Sequence, residues 1–448
     1  MPAQSMEMSE LISALSHALD MTEGQPPGHC VRACWIGMQL AQKLEMDSHS
    51  QWQLYYTILL KDLGCSSNAA RICQLYATDD LSFKHDYKIV NRNLTQVLNF
   101  VLQHTGVQSG MAERFTHIMQ TLKNGSQWSK ELTQTRCERG ADIARQLRFD
   151  EAVAEGIRGL DEHWDGGGKP YGLAQEGINL YSRIALIAQV IDVFFTASGA
   201  KACVEEVQRR RGTWFDPALV DHFHELVDES FWAKLQSSEL DEEIIHLEPA
   251  QHRIELDEQY IDEIAAAFGQ VVDSKSPYTA GHSERVALIT DLLAKELDYS
   301  DDKRRWIKRG ALLHDVGKLG ISNSILDKPD KLTDEEFETV KLHAGYTGEI
   351  LSRIDVFKTL AEVSQAHHER MDGKGYPLGL KDDEITLDTR IITTADIFDA
   401  ITADRPYRGP IPVPEALDMM SKHLGTQIDR RCYQALLKVS SDLQLTKH

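Results

Sequence analysis

The 448-residue sequence is short of several things, and each shortage excludes a class of protein. Its seven cysteines, at 30, 34, 65, 73, 137, 203 and 432, are odd in number, irregularly spaced and never in a CxxC pair. Neither a disulfide framework nor a thiolate zinc site is indicated, and a reducing cytoplasm fits best. Basic residues are also scarce: 48 Lys and Arg stand against 69 Asp and Glu, a formal charge of −21. No broad basic face is left for duplex nucleic acid or an anionic membrane, so an anionic ligand needs a local cationic site or metal ions. Long apolar runs are missing too. The most apolar stretch, residues 184–195, is broken by Gln189 and Asp192 and falls short of the ~20 residues of a membrane span. The first ten residues lack the charged and apolar regions of a signal peptide.

Period-2 alternation is equally hard to find. Apolar residues instead recur at helical spacing, as in Ile261, Ile264, Ala265, Phe268 and Val272, which predicts an all-α protein. The chain is long enough for two domains, and an internal repeat supports that number. Gly28-His29 stands 33 residues before Asp62, and Gly281-His282 the same 33 before Asp315; Asp165-Gly166 lies 24 residues before Gln189, and Asp372-Gly373 the same 24 before Asp396. Two copies of one helical domain follow. The offset between them falls from 253 to 207, so the first copy carries about 46 extra residues between Asp62 and Asp165. We expect a first domain over 1–236, an acidic linker over 237–257 and a second domain over 258–448.

The second copy gathers His282, His314, Asp315, His343, His367, His368 and Asp396 on short signatures. Neutral imidazoles and carboxylates suit divalent transition metals, and a carboxylate such as Asp315 can bridge two ions. A pair of ions sharing a water is the machinery of phosphoester hydrolysis. Lys318, about one helical turn beyond Asp315, can reach the same site and meet a phosphate.

The strings HDVGKLGI at 314–321 and HHERMDGKGYP at 367–377, followed by Asp396, resemble the HD-GYP family of cyclic-dinucleotide phosphodiesterases, a branch of the HD metal-dependent phosphohydrolases. The resemblance implies two duplicated HD-type helical domains and bacterial second-messenger signalling. It also implies hydrolysis of cyclic GMP-AMP or cyclic di-GMP to linear products at Asp315 and Lys318. The seven residues above fall on the family's metal-ligand positions, and Lys318, Arg405 and Arg408 on its phosphate contacts. Tyr278 replaces a Glu found in three-metal members, so two ions (Fe, Mn or Ni) are expected; Ala344 replaces a frequent Pro beside His343. The loop around Gly373 and Gly375 is linked in similar proteins to cyclase-domain contacts, so a cyclase partner or a homodimer stays open.

In the first copy Lys61 stands where His314 would be, Cys65 for Lys318, Leu160-Asp161 for the His pair and Gln189 for Asp396; only His29 and Asp62 persist. This copy is expected to be non-catalytic and to regulate or support the second by packing on it. Two rivals exist: an HD-superfamily nucleotidase, which does not require the string through Tyr376-Pro377, and a cyclic-dinucleotide receptor, which predicts lost ligands in both copies.

Overall fold

Helical periodicity is realised along nearly the whole chain in a computed structural model, which describes residues 6–90, 94–107, 110–403 and 409–445. The chain divides into two units, Met1–Leu256 and Asp257–His448. Unit 1 contains β1 (Met6–Glu7), then α1 (Met8–Thr22), α2 (His29–Lys43), α3 (Ser48–Leu59), α4 (Ala69–Tyr76), α5 (Asp80–Tyr87), α6 (Leu94–His104) and the long α7 (Met111–Gln146). It continues through α8 (Glu151–Arg158), α9 (Leu180–Arg209), α10 (Pro217–Leu226), α11 (Glu229–Leu235) and α12 (Leu240–Leu247) to β2 (Glu255–Leu256). Unit 2 contains α13 (Glu258–Asp273), α14 (His282–Glu296), α15 (Asp301–Leu313), α16 (Asn323–Leu326), α17 (Asp334–Ser352), α18 (Lys358–Gln365), α19 (Leu387–Thr402), α20 (Val413–Ser421) and α21 (Arg430–Leu445). The all-α expectation is borne out: among the described residues the only sheet is the antiparallel β1–β2 ribbon, with Met6 opposite Leu256.

Two expectations need correcting. Residues 237–257 are not a free linker, because α12 buries Leu240 and Ile244 at helical spacing and β2 pairs with the first strand of the same unit. The acidic side chains that suggested a linker are the outer face of a packed helix. The apolar stretch at 184–195 also belongs to a longer element than its run suggested. Helix α9 has 30 residues and is long and apolar enough to cross a membrane by length and composition. However, 67% of its apolar window is buried within the protein and it breaks at Gly199, where φ is +80°. Its buried Asp192 pairs with His29 and Arg32, as befits a core helix.

The repeat is visible in backbone detail. Each histidine-bearing helix starts after a left-handed glycine, Gly28 (φ 83°) before α2 and Gly281 (φ 68°) before α14, a conformation that needs no Cβ. A buried aspartate one helix earlier then holds the turn: Asp20 accepts from the Gly28 and Cys30 amides at 2.8 Å, and Asp273 from the Ser283 amide at 3.0 Å. In unit 2, α14 packs on α15 and α19, and α17 on α18, around a core that includes Phe268, Leu313, Leu319 and Ile392, all fully buried.

Candidate metal centre

The chain brings five separated segments of unit 2 to one buried point. His282 opens α14, His314 caps the end of α15, Asp315 precedes a short 3-10 turn over Val316–Gly320, and His343 lies inside α17. His367 and His368 follow α18, and Asp396 lies in the middle of α19. Gly317 makes the approach feasible, because a Cβ there would collide with the His343 carbonyl oxygen. Thr347 then ties the junction, donating to the His314 carbonyl and accepting from the Gly317 amide, both at 3.0 Å.

Each of four imidazoles is oriented from behind. The Nδ1 of His282 bonds to Asp399 at 2.7 Å, that of His314 to the Ala311 carbonyl at 2.7 Å, and those of His343 and His367 to the Val340 and Ser364 carbonyls at 2.6 Å. A proton on Nδ1 leaves the Nε2 lone pair free in the neutral ring. All four Nε2 atoms, and Oδ1 of Asp315, are buried without a hydrogen-bond partner. They converge on Asp315 from two sides. Its Oδ2 lies 3.4 Å from His282 Nε2 and 3.3 Å from His314 Nε2, while its Oδ1 lies 3.4 Å from His343 Nε2 and 3.7 Å from His367 Nε2. Asp396 Oδ1 is 3.4 Å from His282 Nε2 and 3.9 Å from His314 Nε2. Ligand atoms bonded at ~2.0–2.2 Å to one tetrahedral ion sit roughly 3.5 Å apart, so these spacings suit donors sharing ions. His368 joins His343, His367 and Asp315 in a group whose ligand atoms lie within 4.8 Å of one another.

The electrostatics agree with a cation site. Burial pushes His343 down to about 4 and His367 to about 3, so both rings are neutral donors at neutral pH. Burial also disfavours charge on His282, yet the Asp315 and Asp399 carboxylates outweigh it and raise that ring to about 9. Burial raises Asp315, but His314 and Lys318 hold it well below the usual carboxylate range. Unpaired donors and an excess of carboxylate at one buried point fit divalent ions.

Lys318 lies beside this point and forms an ion pair with Asp315. A small cavity of about 70 Å³ borders it, lined by Lys275, Tyr278, Thr279, His282 and Asp315 among others. Arg405 and Arg408 lie outside the described residues. The sequence reading overlooked Asp399, one turn beyond Asp396, which holds His282 and bonds Arg285 at 2.6 and 3.0 Å. It also overlooked Glu369, whose buried carboxylate accepts from the amides of Leu378, Gly379 and Leu380 at 2.6–3.1 Å. Glu369 thereby fastens the loop that lays Tyr376 against His368, with ring centroids 4.8 Å apart.

A model of the HD domain family matches residues 107–219 and 267–432. The chain belongs to the HD domain family. The double match gives the HD domain in both halves, in line with the repeat. Along 432 residues, 96% of this chain and 94% of the relative, it is 53% identical to the 3'3'-cGAMP-specific phosphodiesterase 3 of Vibrio cholerae serotype O1. It is 36% identical over 188 residues to a cyclic di-GMP phosphodiesterase of Thermotoga maritima, 42% of this chain and 51% of that one. A crystal structure of a cyclic GMP-AMP-specific phosphodiesterase of V. cholerae superposes with a TM-score of 0.68 at 47% identity, covering 99% of both chains. The HD-GYP resemblance drawn from residues 314–377 is borne out.

The equivalent point of unit 1 is built differently. His29 still bonds Asp192 through Nδ1 at 2.7 Å, and Arg32 still pairs with Asp192, copying His282, Asp399 and Arg285. Where His314 stands, Lys61 is fully buried and ion-paired with Asp62. Where His343 stands, Arg136 pairs with Asp161: a Cβ at Gly64 would meet the Arg136 carbonyl just as one at Gly317 would meet that of His343. Glu23, Asp62 and Cys65 form a further donor group, but Lys88 lies 3.1 Å and Lys84 3.9 Å from Glu23. Side-chain cations occupy this pocket.

Proposed function

We propose that the chain is a metal-dependent phosphodiesterase that hydrolyses cyclic dinucleotides, 3'3'-cyclic GMP-AMP first among them, to linear products in the cytoplasm. The observation that carries this reading is the convergence of four unpartnered Nε2 atoms on the two oxygens of Asp315. The likeness along almost the whole chain to a 3'3'-cGAMP-specific enzyme supports the substrate; relatives named for cyclic di-GMP match over less than half of the chain.

Two ions are the number that the donors favour. His282, His314, Asp396 and Oδ2 of Asp315 would hold one, and His343, His367, His368 and Oδ1 of Asp315 the other. With no thiolate among these donors, Fe, Mn or Ni suits the set. Bound there, such ions supply Lewis acidity and make a water nucleophilic at neutral pH. The protein's part is to aim the Nε2 atoms through the Nδ1 bonds, with His343 and His367 held as neutral donors, and to exclude bulk water by burial. Lys318 exchanges its pairing with Asp315 for a phosphate oxygen of the substrate, with Arg405 and Arg408 as further phosphate contacts.

Unit 1, with cations at two ligand positions, is non-catalytic in this reading and regulates or supports unit 2. A nucleotidase reading loses support because the relatives act on cyclic dinucleotides by name, and a receptor reading because every ligand position of unit 2 is filled. The deciding experiment is product analysis of purified, metal-loaded protein with each cyclic dinucleotide. Linear product from cyclic GMP-AMP is expected, and no turnover of either would overturn the reading.

A further inference from the structure

The surplus residues of unit 1 build something that unit 2 lacks. Because Arg136 matches His343 and Cys65 matches Lys318, the extra segment lies between Cys65 and the middle of α7, where unit 2 has the short α16, its flanking loops and the first turns of α17. In unit 1 this stretch holds α4, α5, α6 and the first half of α7. The inner side of α6 is well used, since Phe100 packs with Ile72, Tyr76 and Phe83 in a small core of its own. The outer side has no cover. Leu98 and Leu102 on α6 are 40% and 43% exposed; Met111, Phe115, Met119 and Leu122 on α7 are 92%, 64%, 51% and 50% exposed. Arg114 donates to the Leu102 carbonyl at 2.9 Å, which fastens the start of α7 to the end of α6.

We propose that this hairpin is a homodimer interface, covered by the same hairpin of a second copy about a two-fold axis. Three observations favour a second copy. The first is size: the exposed area of these six side chains is on the order of 650 Å², so self-pairing buries on the order of 1,300 Å², within the range of specific interfaces. The second is charge. In residues 97–123 only Glu113, Arg114 and Lys123 are charged, against 26% of the whole chain, so an isologous contact forms without like-charge repulsion despite the net charge of −21. The third is composition, since Met and Phe without charge are what interface centres favour. A membrane surface is the weaker occupant, because an interfacial helix wants a basic polar face.

Sedimentation velocity of the full chain over a concentration series reaching tens of micromolar tests the proposal. The unmodified chain is expected to be dimeric. The double variant Met111→Glu/Phe115→Glu is expected to dissociate at least roughly a hundred-fold more readily, with an unchanged circular dichroism spectrum because both side chains are exposed. Met419→Glu, an exposed apolar position of unit 2, should leave the dimer intact. A monomer at all concentrations, a double variant that stays dimeric, or dissociation by Met419→Glu alone overturns the proposal. So does a monomer that co-floats with vesicles of anionic phospholipid, which would assign the face to a membrane.

Discussion

Asp399 offers a sensitive test of how the centre is held together, because it touches no proposed ion yet supports a ligand. Its Oδ2 bonds His282 Nδ1 at 2.7 Å, and its two oxygens take Arg285 at 2.6 and 3.0 Å, in a site where the carboxylate is only 3% exposed. Burial raises its pKa, but His282 and Arg285 hold it down at about 2. Against 3.8 for the free group, this depression corresponds to roughly 2 kcal/mol of stability. The sign is that of a depressed acid: the contribution is present above pH ~4 and is lost as pH falls through about 2. Asp399→Asn keeps the shape but removes the charge and one acceptor, so His282 and Arg285 compete for the oxygen that remains. Outer partners of metal-bound histidines are worth about 10- to 100-fold in affinity or activity, and that loss is expected in both. The assay is metal content after equilibration in metal-buffered solution, read beside hydrolysis. Asp192→Asn is the control, since Asp192 holds His29 and Arg32 in the same way where no ion is expected; it should lower stability and leave metal content alone. Asp399→Asn that binds metal within about two-fold of the unmodified protein, or Asp192→Asn that strips it, would refute the reasoning.

Asp315→Ala should lose metal and hydrolysis together, because one carboxylate faces both groups of histidines; a variant with near-normal turnover would exclude the bridging role. Lys318→Ala should keep its metal while kcat/KM falls roughly ten- to a hundred-fold, the loss of one charge-assisted hydrogen bond, and unchanged kinetics would return Lys318 to a purely structural role. Gly317→Ala should destabilise unit 2 and scatter His343, since the new Cβ meets backbone and not a flexible side chain; thermal unfolding and metal content measure it. Lys61→His should not create a second centre, because Arg136, Leu160 and Gln189 still stand at other ligand positions, and metal stoichiometry checks this.

The candidate site was partly legible because His314, Asp315, His367 and His368 lie in strings too long to arise by chance, whereas His282, His343 and Asp396 were placed by the family resemblance; the fold was legible because helical spacing recurs almost everywhere. What escaped notice has physical reasons. Asp399 lies in an unremarkable helix, and only its repeat, Asp192, could have marked it. Arg136 was missed because the register shifts from 253 to 207 somewhere between Asp62 and Asp165, and the sequence did not show on which side of the shift the partner of His343 falls; the offset of 207 leads to Arg136. Glu369 works through backbone amides, which have no sequence signature. The acidic stretch near 240 misled because composition weighs all residues alike, whereas Leu240 and Ile244 alone decide that α12 packs.

The two units separate what the fold needs from what the reaction needs. Both keep the buried aspartate that caps the histidine helix, the His–Asp–Arg contact and the glycine at the close crossing, so those belong to the architecture. Unit 2 keeps four unpartnered Nε2 atoms at this point, where unit 1 keeps that of His29. A buried carboxylate such as Asp62, 1% exposed, costs several kcal/mol when left without a countercharge, and loss of a bound ion would impose that cost at once. Substitution by apolar residues alone could not have offset it. Lys61 beside Asp62 and Arg136 beside Asp161 do so from the ligand positions themselves. The same arrangement that balances the buried charge of unit 1 without an ion leaves no room for one, so charge balance as well as changed residues sets unit 1 apart from unit 2.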